Sequence, residues 1–299
     1  MRRPVLALLL SLLSLFWLLV PAAAAADRGA LFRVTQGGHV MYLFGTLHVG
    51  LPEFYPLEPR ITDALAKSST LALELDPNQP RADILRALRD YGMLAPGAPA
   101  YDSLSPDERT RLNKLILQGG LDLVDAMHFK PVLLATMLTM AEYSKQGYRP
   151  DLASDRFLAG LARQDNVRVL ELESLGSQLA MLDRLAQPER LPFLEEMMST
   201  IESGAQKTEA QAMVQAWSTA DQRALDAIAA RCAADSSVSG RFVNQVLLRE
   251  RNLSLADKLA LLLSSENRTV AAIGILHLLG TGSVPVLLQA KGIGVERIY

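Results

Sequence analysis

Alternating and continuous apolar runs along the chain predict strands, while apolar residues spaced three and four apart predict helices. The first region of this kind, ALFRVTQGGHVMYLFGT, has two short apolar runs joined by Gly37 and Gly38, which is typical of a β-hairpin. Residues 56–67 then show helical spacing and lead into TLALELD, an alternating strand. We expect the leucines of that strand on one face and Glu74 on the opposite, polar face.

The middle of the chain is predominantly helical in its pattern. Residues 81–147 have helical spacing, with a start at residues 105–108 and a stop at Gly119-Gly120. A helix is predicted over residues 151–164, followed by the strand VRVLELE at 167–173. Residues 178–263 are again helical, with breaks near Pro188, Gly204 and residues 236–240. We expect most of this region to be scaffold.

The C-terminal stretch repeats the order of elements seen near the N-terminus. TVAAIGILHLLGTGSVPVLLQAKGIGVERIY predicts a buried strand, a glycine-containing turn, a short helix over residues 284–291 and a closing strand. Residues 41–76 also run strand, loop, helix and strand. The sequence therefore predicts an α/β (α+β) fold, with a central mixed sheet from the N- and C-terminal parts and a large helical insertion between them.

Length and charge narrow the class of protein. A chain of 299 residues, 49% of them hydrophobic, can bury a sizeable core, and we expect residues 27–299 to form a single domain. Lysine and arginine total 30 against 32 acidic residues, and no basic run is interleaved with aromatics, which argues against a nucleic-acid partner. Cys232 is the single cysteine, so no intrachain disulfide can form.

The N-terminus has the features of a secretory signal. Arg2 and Arg3 precede an apolar stretch over residues 5–20, and an alanine run with Ala-x-Ala cleavage sites follows. We therefore predict a signal peptide over residues 1–26 and a periplasmic or secreted mature protein. The alternative is an uncleaved signal that anchors the protein to the inner membrane, because the apolar stretch is nearly long enough to span a bilayer.

Two of the four histidines occur in matched motifs. Gly45-Thr46-Leu47-His48 and Gly274-Ile275-Leu276-His277 each stand at the C-terminal end of a predicted apolar strand. Ligands of open α/β sheets bind at that edge, in the crevice beyond the strand ends. Each glycine removes a side chain three residues before its histidine, which allows close approach of a backbone or a ligand. The alternative interpretation is that both histidines are satisfied core residues.

A histidine pair of this kind needs a carboxylate nearby, whether it binds a metal or transfers protons. Glu74 is our candidate because it lies near the end of the next predicted strand, and Asp76 is weaker because Pro77 follows it. Two histidines and one carboxylate would form an open divalent-metal site. The alternative role for Glu74 is a structural ion-pairing or capping carboxylate at a strand end.

These motifs resemble those of TraB/GumN proteins, which are related to the Tiki proteases. The segment YLFGTLHVGLPEFYPLEPRITDALAKSSTLALELD is similar to the opening signature of that family, and GILHLLGTGSVPVLLQAKGIGVERI is similar to its closing motif. Between them, VLELESLGSQL and LLRERNLSLADKL resemble its Leu-Glu-Thr-x-x-x-Gln segment and its Arg-Asn helix. The resemblance covers nearly the whole chain after the signal and implies an EreA/ChaN/Tiki-like fold.

The resemblance also implies a site and an activity. The active-site and metal-binding residues would be His48, Glu74 and His277, and the surrounding substrate-binding residues would be Glu173, Gln178, Arg251 and Asn252. For Tiki-like members it implies a divalent metal, manganese or cobalt with zinc as a further option, and peptide-bond hydrolysis. The chain departs from the usual closing motif at Ile275 and Leu276, which make that end of the pocket bulkier.

Two functions therefore stay open from the sequence. The first is an exported metal-dependent hydrolase that acts on peptides, with a site assembled from distant strands because the chain lacks HExxH and GxSxG motifs. The second is a non-catalytic protein that binds or sequesters a peptide, haem or metal ligand. For Arg251, the chemistry of the guanidinium allows either a substrate carboxylate or an ion pair with Glu173.

Overall fold

A six-stranded mixed sheet forms the centre of the part of the chain that the computed structural model describes, residues 26–299. The strands in chain order are β1 (Leu31–Gln36), β2 (His39–Thr46), β3 (Thr70–Leu73), β4 (Arg168–Glu171), β5 (Arg268–Gly274) and β6 (Gly294–Arg297). They lie side by side in the order β4-β3-β5-β2-β1-β6. Strands β2, β5, β3 and β4 are parallel, whereas β1 is antiparallel to both β2 and β6.

This topology confirms the predicted fold class, a mixed α/β structure whose sheet is built mainly from the two ends of the chain. Strand β5 lies between β2 and β3, so a C-terminal strand is inserted between two N-terminal ones. Strand β4, from the middle of the chain, adds to the edge beside β3. The predicted signal peptide, residues 1–26, falls almost entirely outside the described residues.

Helices make up most of the remaining chain. The α-helices in chain order are α1 (Pro59–Ala66), α2 (Arg81–Ala87), α3 (Pro106–Gln118), α4 (Leu123–Ala126), α5 (Pro131–Lys145), α6 (Ser154–Gln164), α7 (Leu175–Leu182), α8 (Arg190–Glu202), α9 (Ala205–Ser218), α10 (Gln222–Ala234), α11 (Val238–Phe242), α12 (Arg251–Ser265) and α13 (Val284–Ala290). Short 3-10 turns occur at Pro52–Phe54, Pro150–Leu152, Gln187–Glu189 and Ile275–Leu278, and π-helical segments at Leu88–Gly92 and Val243–Glu250. The second π-helical segment leads directly into α12.

Local sequence signals account for several of these boundaries. Gly37 and Gly38 have φ values of 57° and 89°, so the β1–β2 turn needs a backbone conformation that glycine adopts without steric cost. Helix α3 begins with the predicted cap, in which the Ser105 hydroxyl accepts from the Glu108 N–H and the Glu108 carboxylate accepts from the Ser105 N–H.

Several predicted elements are shorter in the structure, among them β3 and α6. Strand β3 ends at Leu73, and its four residues are all buried, as is typical of a parallel strand whose sheet is covered on both faces. The expected polar face is therefore absent from β3, and Glu74 follows the strand instead of lying within it. The helix predicted over 151–164 begins at Ser154, since residues 150–152 form a separate 3-10 turn.

The hydrophobic core consists of two main clusters. One surrounds the sheet, with Phe44, Leu71 and Ile273 fully or almost fully buried, and the other lies among the inserted helices α3, α5 and α8. Trp217 of α9 is completely buried, and its indole Nε1 donates to the carbonyl oxygen of Gly45 at 2.8 Å. None of the helices between residues 26 and 299 combines the length and the apolar character that a bilayer crossing requires.

Candidate active site at the sheet edge

The two Gly-x-x-His motifs meet at one edge of the sheet. Strands β2 and β5 are parallel neighbours, and Thr46 pairs with Gly274 in their register. Because parallel strands end at the same edge, the residues that follow them, His48 and His277, are brought to the same region of the protein. Glu74 joins them there, since β3 is parallel to β5 on its other side.

The glycines of the two motifs serve different purposes. A Cβ atom on Gly45 would lie 2.3 Å from Cδ1 of Ile275, so this glycine makes room for a side chain of the second motif. A Cβ atom on Gly274 would meet only site residues among its nearest neighbours: Glu74 Oε1 at 3.2 Å, and His277 Cδ2 and His48 Nε2 each at 3.5 Å. The three predicted active-site residues therefore surround the missing side chain of Gly274.

His277 is held rigidly in the protein. It lies in the 3-10 turn Ile275–Leu278 with 4% of its surface exposed. Its Nδ1 lies 2.6 Å from Oδ1 of Asn252, whose own Nδ2 donates to the carbonyl oxygen of Gly282 at 2.8 Å. A carbonyl can only accept, so the amide orientation of Asn252 is fixed, and Nδ1 of His277 carries the proton. Nε2 then faces Glu74, 3.8 Å from Oε1.

His48 stands in a more open position. Its side chain is 60% exposed, and its Nδ1 donates to Oδ2 of Asp155 at 2.9 Å. Asp155 belongs to the first turn of α6 and was not among the residues that the sequence indicated. No local pattern marks a contact between residues 107 positions apart, and a carboxylate in the first turn of a helix is common without any such role.

Glu74 is buried and fully bonded. Its Oε1 accepts from the backbone N–H of Gly274 at 2.6 Å, and its Oε2 forms an ion pair with Arg251 and accepts from Nε2 of Gln178 at 3.4 Å. Like the contact of Asp155 with His48, the hydrogen bond from the Gly274 amide to Glu74 was not indicated by the sequence. This bond depends on the exact register of β5 against β3. These contacts fix the direction of the carboxylate.

A buried ion-pair network supports Glu74. Arg251, the first residue of α12, binds Glu173 through Nε at 3.0 Å and through its terminal nitrogen at 2.6 Å, and the same terminal nitrogen reaches Glu74. Gln178 of α7 donates to Glu173 at 2.8 Å. Of the two partners considered for Arg251, the structure pairs the guanidinium with Glu173 and adds Glu74. Six of the seven residues predicted for the site are thus linked by hydrogen bonds or ion pairs, and His48 lies beside them, with its Nε2 3.5 Å from the Cβ position of Gly274.

The charges in this network shift the ionisation of its members. Burial favours the neutral form of Glu74, but His277, His48 and Arg251, together with the Gly274 amide, lower its pKa to about 2. Burial also disfavours the charged form of His277 and lowers its pKa to about 4. His277 is therefore neutral at pH 7, and the cations that keep Glu74 ionised there are His48 and Arg251.

His48 shifts in the opposite direction from His277. Desolvation lowers the pKa of His48, but the hydrogen bond and the negative charge of Asp155 outweigh it, with a smaller contribution from Glu74, and raise the pKa to about 9. The net upward direction comes from Asp155, so in the metal-free protein His48 carries a proton on both ring nitrogens at pH 7. The two histidines of the matched motifs are thus chemically different.

The donor chemistry of the site fits a divalent metal ion. Each histidine has its Nδ1 bonded to a supporting side chain, which directs Nε2 toward the site, as is common for metal-binding histidines. Oε1 of Glu74 supplies a carboxylate oxygen beside them. Within residues 26–299, however, no group of three or more histidine, cysteine, aspartate or glutamate side chains has the spacing of a formed metal centre. Side-chain movement would be needed to close one.

A cavity of about 330 Å³ adjoins the site from the side of the Asn252 amide. Its lining includes Asn252, Leu276 and Gly282, together with Cys232 and Leu248. Neither Glu74 nor either of the two motif histidines lines this cavity.

Together, the fold and this edge define an α+β protein with paired Gly-x-x-His motifs on neighbouring parallel strands. The chain belongs to the TraB/PrgY/gumN family, whose model matches residues 30–297. This match confirms the family resemblance found in the sequence.

Individual relatives agree with this assignment. The chain is 27% identical over 262 residues to the uncharacterized protein YbaP of Escherichia coli (strain K12), covering 85% of this chain and 89% of the relative. The YbaP protein of Shigella flexneri matches with the same identity and coverage. No solved structure gives a significant match.

Proposed function

We propose that the chain is an exported envelope hydrolase that acts on peptides and uses a divalent metal ion held by His48, Glu74 and His277. The observation that carries this proposal is the arrangement of these three side chains around Gly274, within 3.5 Å of the position of its missing Cβ atom. Nitrogen and carboxylate donors of this kind occur in catalytic metal sites that keep a position open for water or substrate.

In this proposal, the ion would be held by Nε2 of each histidine and Oε1 of Glu74, and binding would displace the proton that Nε2 of His48 carries at pH 7. Manganese or cobalt is the expected metal, with zinc as a further option, and when bound it would supply a Lewis acid for the scissile carbonyl. Asn252 keeps the proton of His277 on Nδ1, so that Nε2 is available as a donor. Glu74 is ionised at neutral pH, so its Oε1 can bind the ion without first losing a proton.

In this proposal, the four surrounding residues orient the active-site side chains: Asn252 orients His277, and the other three orient Glu74. Arg251, Glu173 and Gln178 bond to one another and to Glu74, so they fix the carboxylate that faces the substrate. A peptide or a small-molecule ligand would bind at the open side of the site, near the exposed ring of His48.

Metal titration of the purified chain tests the proposal. Manganese, cobalt and zinc are titrated into wild type, His48→Ala/His277→Ala and the matched control His39→Ala/His128→Ala, which removes the two other histidines. We expect one ion per chain in wild type and in the control, and none in the first double variant. Cleavage of a peptide library that stops on addition of a chelator would identify the activity. Absence of metal from wild type would refute the metal-dependent mechanism.

A non-catalytic binding protein is the second candidate, and one contact favours it. The Arg251 guanidinium already neutralises Glu74, which lowers the negative charge available to a cation. Such a protein would bind a peptide, haem or metal ligand in stoichiometric amounts without turnover. Substitution Glu74→Gln would then weaken binding less than loss of either histidine, whereas a hydrolase would lose its activity in all three variants.

Export to the envelope forms part of the same proposal and rests on the sequence of residues 1–26. Fractionation of cells that express the full chain, with N-terminal sequencing of the recovered protein, provides the test. A mature N-terminus near residue 27 in the periplasmic fraction is expected. Recovery of the uncleaved chain with the inner membrane would instead support the anchored form.

A further inference from the structure

The first turn of helix α6 holds the loop that carries His48. Ser154 is 1% exposed, and its hydroxyl oxygen lies 2.9 Å from the backbone nitrogen of Leu47 and 3.2 Å from the carbonyl oxygen of Leu47. The backbone N–H of Ser154 also donates to that carbonyl at 3.1 Å. The residue before His48 is therefore fixed to the helix at both of its backbone polar groups.

The next residue of the helix reaches the ring itself. Oδ2 of Asp155 accepts from Nδ1 of His48 at 2.9 Å, while Oδ1 accepts from the backbone N–H of Arg156 at 2.8 Å. Because each oxygen has a donor, the carboxylate plane is set by the helix and in turn sets the plane of the imidazole. The His48 ring is largely exposed, so packing alone does not orient it.

Helix α12 holds the other histidine in the same manner. Asn252, in the first turn of α12, bonds to Nδ1 of His277, and this ring is also enclosed by the protein. Each histidine is thus supported at Nδ1 by a side chain from a helix. The difference is that His277 has burial as a second constraint, whereas His48 depends on Asp155.

We propose that Asp155 is the positioning residue of His48, which keeps the proton on Nδ1 and directs Nε2 toward Glu74 and Gly274. This inference rests on the proposed function, because the directed nitrogen is the one that would bind the metal. Asp155 acts through His48 and does not itself face the reacting atoms. Nε2 of His48 lies 3.5 Å from the Cβ position of Gly274, so the direction of the ring decides whether it joins the site.

Nuclear magnetic resonance of the metal-free full chain, labelled with 15N-histidine, tests the positioning role. Wild type should show a protected ring Nδ1–H signal for His48. Asp155→Ala should lose it, and Asp155→Asn should retain it, because the amide oxygen still accepts a hydrogen bond. Asp151→Ala is the matched control, since Asp151 lies three residues before the helix start and pairs with Arg149 instead.

Metal affinity provides a second readout in the same variants. We expect manganese or zinc to bind 10- to 100-fold more weakly to Asp155→Ala, and the Asn variant to recover part of the loss. A His48 Nδ1–H signal that survives in Asp155→Ala would overturn the positioning role, whatever the metal result. If that signal is lost but wild type binds no metal, the positioning role stands and the metal-dependent function fails.

Discussion

Substitution Gly274→Ala places a single methyl group where the three predicted active-site residues converge. The backbone of Gly274, with φ of −51° and ψ of 134°, suits any residue, so alanine introduces no backbone strain. The new Cβ would lie 3.2 Å from Oε1 of Glu74 and 3.5 Å from Nε2 of His48. It therefore borders the space that a ligand shared by these atoms would occupy.

The expected effects on stability and on binding differ in size. The contacts of the new Cβ at 3.2 to 3.5 Å are tight, which destabilises the folded state slightly, but they involve the ends of side chains. Alanine also restricts the unfolded chain more than glycine does, which stabilises the fold. We expect the free energy of unfolding to stay within about 1 kcal/mol of wild type. Binding of manganese, cobalt or zinc should weaken by about 10- to 100-fold, as for other changes next to metal-binding residues.

Calorimetric metal titration and urea unfolding of the same preparations separate these two effects. Gly282→Ala is the matched control, because its added Cβ would meet nothing within 4 Å although Gly282 also contacts Asn252. The control should bind metal as wild type does. If wild type binds metal and Gly274→Ala binds it with the same affinity, then His48, Glu74 and His277 do not share a ligand.

Two further predictions concern stability. Burial raises the pKa of Glu58, which is bonded to the Tyr299 hydroxyl, from 4.5 to about 7. A carboxyl group with a raised pKa stabilises the fold below pH 4.5, and this contribution is lost as the pH rises through 7. In urea unfolding, wild type should therefore lose about 3 kcal/mol more stability than Glu58→Gln between pH 4.5 and 8. Parallel stability curves for the two proteins would contradict this. Arg251→Met leaves Glu74 and Glu173 buried without their cation, so the free energy of unfolding in urea should fall by about 3–5 kcal/mol. Adding Glu173→Gln should recover part of this loss. A loss below about 1 kcal/mol would show that the Arg251 ion pairs do not contribute to folding.

The hairpin and the position of each Gly-x-x-His motif at a strand end could be predicted because they depend on local patterns, and the mixed sheet from the two chain ends followed from their similar order of elements. Apolar runs indicate strands, and the ends of neighbouring parallel strands share an edge, so His48 and His277 were expected near each other. Glu74 followed from the same reasoning, although its strand is shorter than its alternating pattern suggested.

The contacts that orient these side chains could not be predicted in the same way. The bond from His48 to Asp155 depends on where helix α6 packs against the β2 end, which no local pattern specifies. For Arg251, the sequence chemistry allowed more than one partner, and the packing of α12 decides among them. Orientation is a tertiary property, whereas residue type and strand position are properties of the sequence.

The insertion of β5 between β2 and β3 has a consequence for synthesis of the chain. Strand β2 ends at Thr46, but its neighbour β5 begins at Arg268, so the sheet edge with both histidines is incomplete until most of the chain has left the ribosome. Pairing over such a sequence separation closes a long loop and is slow compared with helix formation. A nascent or truncated chain would contain a complete first motif and Glu74 but lack their neighbouring strand, so any activity of the site appears only after the last segment is translated and docked.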